Sequence, residues 1–292
     1  MDLPIVVGVD GSEAGLRAAD WAADEAALRG VPLRLVHASL WECYERAVFP
    51  AAPERLERIL ADVLVEAAAE RARQRAPDMK TSTQVVAEGP VPALIHEAHD
   101  ASALVLGARD RNGAAELLLG SVGLTVVGRA DCPVVVVRGG NKDTAVARPH
   151  DRIVVGIGEW EASANAVRFA LEEAERRGAV LEAVRVWRHP GHATTDHPLL
   201  IGEPAHVREQ LAVQALETAL SEASPGVRLR KRAMEGDARR VLLDASRDAD
   251  LLVLGARRRP GHFGLHLGRV AHAALTRSAC PVAVVPEQAR HL

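Results

Sequence analysis

The sequence predicts an α/β protein of two tandem doubly wound domains, each with a five-stranded parallel sheet flanked by helices. Two observations lead to it. First, one pattern is written twice at a constant offset. Leu104–Arg109 (LVLGAR) recurs as Leu252–Arg257, Cys132–Val137 (CPVVVV) as Cys280–Val285 (CPVAVV), and Ile5–Gly8 (IVVG) as Ile153–Gly156. Second, within each copy short valine-rich runs alternate with longer helical stretches. Such alternation gives crossover connections and a parallel sheet. The expected domains are 1–140 and 151–288, joined by the polar, glycine-bearing tether Arg138–His150.

Each element has a local reason. Pro4–Val9 is a continuous apolar run, as expected of a strand covered on both faces. Ser12 can cap a helix over Glu13–Arg29, with Leu16, Ala19, Ala23 and Ala26 along its apolar face and Gly30 ending it. Leu33–Ala38 is the second strand. Pro53–Arg75 is a helix whose expected apolar stripe is Leu56, Leu60, Val63, Leu64 and Ala67. Thr81–Val86 is the third strand and Pro90–Ala98 a short helix with proline in its first turn. Strand Ala103–Leu106, helix Ser121–Arg129 and strand Pro133–Val137 complete the copy. The second copy has strands at Arg152–Ile157, Val180–Val186, Val227–Arg232, Leu251–Leu254 and Pro281–Val285. Its helices fall at Glu161–Arg177, Glu203–Glu222, Asp237–Ser246 and Arg269–Ser278.

Bulk properties exclude several classes. Of the 292 residues, 48% are hydrophobic and 26% charged, as in an ordinary globular protein. A formal net charge of −3 gives no reason to expect a nucleic-acid partner. No apolar run is long enough to cross a bilayer, and the start lacks the pattern of a secretory signal. Three cysteines make no disulfide framework. Cys132 and Cys280 read as small buried residues, Cys43 is unmatched, and a reducing cytoplasm fits all three.

In a doubly wound sheet, ligands sit beyond the carboxyl ends of the strands, where the strand order switches. Those ends carry Asp10-Gly11-Ser12 after the first strand and a glycine-bearing loop from Gly107 after the fourth, so both turns should face one crevice. Gly107 would let a ligand approach the backbone. Gly120-Ser121 opens a helix, where free amides and the positive dipole end favour an anion. Asp10 could accept hydrogen bonds from ribose hydroxyls or an adenine amino group. A loop needing glycine only for its turns, and an acid that only caps a helix, are the competing structural readings. No P-loop lysine motif, dinucleotide glycine fingerprint or nucleophile elbow is present, and lysine occurs only at 80, 142 and 231. Neither His189, His192 and His197 nor His262 and His266 have metal-ligand spacing, so no metal site and no catalytic residue are expected.

These residues together, in this order, resemble the universal stress protein family in its tandem form: Ile5–Ser12, Leu33–Ala38, and Val105–Arg109 through Leu119–Ser121 to Cys132–Val137. ATP-binding members carry glycine, two residues, glycine, nine residues, glycine, then serine or threonine. The resemblance implies an ATP site formed by Asp10, Gly11, Ser12, Ala38, Leu106, Gly107, Arg109, Asp110, Gly120, Ser121 and Val122. The chain departs from the signature at Asp110, which stands at the second glycine. A carboxylate there either repels the phosphates, by about 4 kcal/mol per charge pair at 4 Å and an effective dielectric of 20, or binds Mg²⁺. The second copy departs further, with Gly158 for Asp10, Arg258 for Asp110 and Arg269 for Ser121. Gly255 and Gly268 remain.

The expectation is therefore a cytoplasmic stress-response regulator that binds ATP in its first domain with little or no turnover. Its partners would be adenine nucleotide and unidentified proteins, with no nucleic acid and no membrane. The alternatives are a nucleotide-free scaffold with both pockets degenerate, and an adenylyl-transferring enzyme, for which a histidine pair or lysine at the strand ends is missing. The flat apolar end strands 133–137 and 281–285 are expected to pair, within the chain or across a homodimer.

Overall fold

The structure is a computed structural model. It describes residues 3–39, 53–108, 119–138, 150–158, 160–188, 205–258 and 265–287. The described residues fall into two compact units, one within Met1–Val146 with Arg258–His266, the other within Ala147–Arg257 and Leu267–Glu287.

The first unit contains β1 (Ile5–Gly8), α1 (Glu13–Arg29), β2 (Leu33–Ala38), α2 (Pro53–Arg75), β3 (Thr81–Val86), α3 (Pro90–Ala98), β4 (Ala103–Gly107), α4 (Ser121–Val127) and β5 (Val134–Val137). Its strands lie in the order β3-β2-β1-β4-β5, with parallel pairing throughout. The order switches between β1 and β4. The second unit contains β6 (Arg152–Ile157), α5 (Trp160–Arg177), β7 (Val180–Trp187), α6 (Ala205–Ala219), β8 (Arg228–Glu235), α7 (Ala238–Ala245), β9 (Leu251–Arg258, all but its last residue), α8 (Arg269–Arg277) and β11 (Val282–Pro286), while the two-residue β10 (Leu265–His266) is grouped with the first. There the order β8-β7-β6-β9-β11 repeats that of the first unit. The doubly wound, parallel, five-stranded expectation holds in both units.

Local signals did their expected work in α1. Ser12 accepts a hydrogen bond from the Gly15 amide at 3.2 Å, and Gly30 ends the helix in the left-handed region at φ 69°. The stripe expected for α2 holds only in part. Leu64 is half-buried beside Gly11, but Leu60 and Val63 are more than half exposed, Ala67 is exposed, and the Leu56 side chain lies outside the described residues. The buried face is Ala61, Val65, Ala68, Ala69 and Ala72. That face packs on the alanine-rich α1, where Ala18, Ala22 and Ala26 are fully buried. Small side chains let the two helix axes approach closely, so volume complementarity outweighed side-chain hydrophobicity. Two paired ion pairs clamp the same contact: Arg71 grips Asp20, and Arg75 grips Asp24, each with two hydrogen bonds.

Strands β8 and β9 run past their expected ends. β8 keeps its register with β7 as far as Trp187 opposite Glu235, and β9 follows β11 to Ala256 opposite Pro286. Pairing, not local hydrophobicity, sets these ends. Cys132 and Cys280 are buried free thiols. Burial, aided by the Asp131 charge, pushes the Cys132 thiol up to about 12, which makes it inert. Cys43 and the tether from 139 to 149 lie outside the described residues.

Candidate functional site

The carboxyl ends of β1 and β4 lie side by side, and most of the loop expected to follow β4, residues 109–118, lies outside the described residues. Gly11 has φ +76°, a conformation that side-chain-bearing residues seldom adopt. It swings the chain from β1 into α1 and leaves Asp10 exposed at the rim. The Asp10 carboxylate accepts hydrogen bonds from the Ser12 amide, at 3.1 Å, and from the Ser12 hydroxyl. Asp10 is thus both rim acceptor and turn former, and the competing capping reading describes part of its role.

Gly107 has a different reason from the one its sequence suggested. A Cβ there would lie 2.2 Å from the Ala14 carbonyl oxygen and 2.9 Å from the Gly15 nitrogen. The first turn of α1 fills the space on that side of the strand. Gly107 therefore allows β4 and α1 to touch, and packing requires it.

Gly120 is the opposite case. It caps α4 with φ −55° and ψ 164°, ordinary extended backbone, and donates no side-chain cap. Nothing described lies within 4 Å of where its Cβ would be. Neither its backbone conformation nor packing against the described residues requires glycine here. Leu119, 4% exposed, anchors the helix start by packing against Gly123. Ser121 is exposed at the first position of α4, and Val122 is half-buried. Ala38 ends β2 in register with Val86, Leu106 is buried within β4, and both belong to the sheet edge facing the same end. Arg109 and Asp110 lie outside the described residues, as do His189, His192, His197 and His262. Among the described residues no cluster of potential metal ligands occurs.

Sequence reading missed two contributors. His37 Nδ1 stands 2.8 Å from the Val9 carbonyl, tying β2 to the end of β1 beneath Asp10. Gly89 caps α3 without a side chain, at the end of the strand that pairs with Ala38. α3 and α4 pack together, so this unit presents two helix starts lacking side-chain caps at one end of its sheet.

The second unit builds the matched region from other groups. Gly158 replaces Asp10, and its amide donates to the buried Ser163 hydroxyl at 2.9 Å. Arg185 takes the place of His37 and donates to the Ile157 and Gly158 carbonyls. Asp237 replaces Gly89 and caps α7 through the Arg239 and Arg240 amides. Arg269 replaces Ser121 at the start of α8.

A doubly wound domain with a polar, glycine-bearing crevice at its strand switch belongs among small-ligand-binding α/β proteins. The model of the Universal stress protein family matches residues 3–138 and again 149–286, so the chain belongs to that family and carries its domain twice. Universal stress protein Rv2005c of Mycobacterium tuberculosis is 31% identical over 291 residues, covering 96% of each chain. Universal stress protein Rv1996 of the same organism is 33% identical over 306 residues, covering 97% of this chain and 95% of its own. A universal stress protein from Archaeoglobus fulgidus shares the fold, with a TM-score of 0.67 at 17% identity over 97% of this chain and 98% of its own.

Proposed function

We propose that the protein is a stress-response regulator whose first unit binds ATP, and that the nucleotide stabilises one conformation or assembly rather than being turned over. The observation that carries this reading is Gly120. It is a glycine that neither φ nor packing against the described residues explains, at an exposed helix start beside a serine hydroxyl. Open space in front of unpaired amides suits a phosphate group. Asp10, exposed at the neighbouring strand end, supplies the acceptor that ribose hydroxyls need. Mg²⁺ would enter with the nucleotide, with Asp110 as its expected partner. No lysine stands among the described crevice residues, the His37 ring is engaged with the Val9 carbonyl and the Asp10 carboxylate with Ser12, and the reading includes no hydrolytic step.

The reading also includes a cytoplasmic home and pairing of 133–137 with 281–285, within the chain or between two copies. No helix among the described residues is long and apolar enough to cross a membrane.

Calorimetric titration of ATP, with and without Mg²⁺, tests the site on the native chain and on Ser121→Arg, which carries the second unit's residue into the first. Native binding weakened by about tenfold or more in the variant, at unchanged melting temperature, is the expected result. Equal affinity in both would place the ligand elsewhere, and no binding by the native chain would leave the scaffold reading.

A further inference from the structure

The second unit keeps a cavity of about 240 Å³ at the carboxyl end of β7. Val186 and Gly236 line it, and Arg188, Asp237, Arg239 and Arg269 bring its charges. Three formal positive charges stand against one negative. Arg188 and Arg239 both pair with Asp237, the latter through two contacts of 3.2 Å. Asp237 is held as well by the Arg239 amide at 2.9 Å and the Arg240 amide at 3.3 Å. One carboxylate thus fixes two guanidinium groups in place while neutralising only one of them.

Arg269 is in a different position. It is the first residue of α8, where Gly268 offers no side-chain cap and the first turn holds no acid. Among the described residues Arg269 makes no hydrogen bond or ion pair, and nothing lies within 4 Å of a Cβ at Gly268. Cations are disfavoured at helix amino ends, where the dipole is already positive. Here the dipole end, Arg269 and the paired arginines add their potentials at one cavity, with no described group to offset the surplus. Guanidinium groups in such a setting match the geometry of phosphate oxygens.

The features that read a nucleoside are not repeated beside it. Gly158 stands where the first unit has its carboxylate, and Arg185 covers the adjoining carbonyls. We infer that this second crevice binds a compact phosphate-class anion, inorganic phosphate or pyrophosphate, that carries no nucleoside. Duplication has then separated two ligand classes: one unit for a nucleotide, the other for a bare phosphate group.

The test is calorimetry on the full chain, with phosphate and pyrophosphate titrated separately into the native protein, Arg269→Glu and Ser121→Glu. Arg269 is exposed, so its replacement should leave the melting temperature unchanged. Expected are binding of at least one of the two anions by the native chain, weakening as salt is raised, and loss of about tenfold or more in Arg269→Glu. The preferred anion identifies the ligand. Binding should persist in Ser121→Glu, which puts a negative charge in the first crevice only. Equal affinity in Arg269→Glu, abolition by Ser121→Glu, or no binding of either anion at millimolar concentration would each overturn the inference. ATP binding is read in the same series, so a first unit that fails to bind ATP leaves this result interpretable by itself.

Discussion

The two units share one backbone plan but carry opposite charges at matched places. On the second strand of each, unit one has Arg34, whose Nη1 donates to Glu97 on α3 at 2.9 Å. Unit two has Glu182 at the matched position, fully buried, held by Arg152 at 3.1 Å and Arg232 at 2.8 Å. At the crevice the charges differ again, though none changes sign. Asp10, His37, Gly89 and Ser121 correspond to Gly158, Arg185, Asp237 and Arg269. A fold fixed by backbone pairing and small apolar side chains tolerates either sign at these sites, provided each buried charge finds a partner. The rim can therefore change its chemistry while the sheet stays the same.

The largest effect should separate the two glycines of the first crevice. Gly107→Ala drives a methyl group into the Ala14 carbonyl and should cost about 3 kcal/mol or more, seen as a lower denaturation midpoint. Gly120→Ala meets open space and should cost less than about 1 kcal/mol while weakening ATP binding. Similar stability losses for both would remove the distinction between a packing glycine and a site glycine.

Next comes the buried carboxylate. Glu182→Ala removes the buried partner of Arg152 and Arg232, 18% and 35% exposed, leaving Arg152 its Asp248 and Ala245 contacts, and should destabilise the protein by about 3 kcal/mol. Glu97→Ala leaves one guanidinium, 32% exposed, and should cost about 1–2 kcal/mol. Urea melts of the two variants measure the difference directly, and equal losses would mean that partner number does not set the cost.

At the rim, Asp10→Ala should weaken ATP about tenfold, as loss of a charge-assisted hydrogen bond does, whereas Gly158→Ala should leave it unchanged. A variant of unit two that affected ATP as strongly would assign the nucleotide to the wrong unit.

The smallest expected effect is in the pH response of the α7 cap. The Arg239 side chain, helped by the Arg239 and Arg240 amides, lowers the Asp237 carboxyl from 3.8 to about 2. A lowered folded value means that the ionised cap stabilises the protein fully above about pH 4 and loses this contribution as pH falls through about 2. Gly89, its counterpart, has no group to titrate. Carboxyl NMR should show the Asp237 midpoint rising toward 3.8 in Arg239→Gln, and an unmoved midpoint would exclude Arg239 as the chief cause.

Much of the scaffold was legible because its signals are local or periodic. The cap at Ser12, the left-handed Gly30 and the duplicated valine runs specify elements without reference to distant partners. The apolar face of α2 was not legible from its large side chains. Its small residues Ala61, Val65, Ala68 and Ala72 recur at helical spacing, but their meaning depends on the alanines of α1 opposite them. The crevice was half legible. Its expected position follows from strand order and its candidates Asp10 and Gly120 from their place in the motif, while His37 and Gly89 carry no motif and come to notice only through their neighbours in space.

The sequence by itself determined that one doubly wound domain occurs twice, since repetition and alternation are written along the chain. Only the tertiary structure decided why each glycine is there. Gly107 yields to the turn of a helix more than ninety positions away in the chain, and Gly120 borders open space. Steric exclusion acts between atoms brought together by folding, so identical residue types at one rim can serve packing in one place and leave room for a ligand in another.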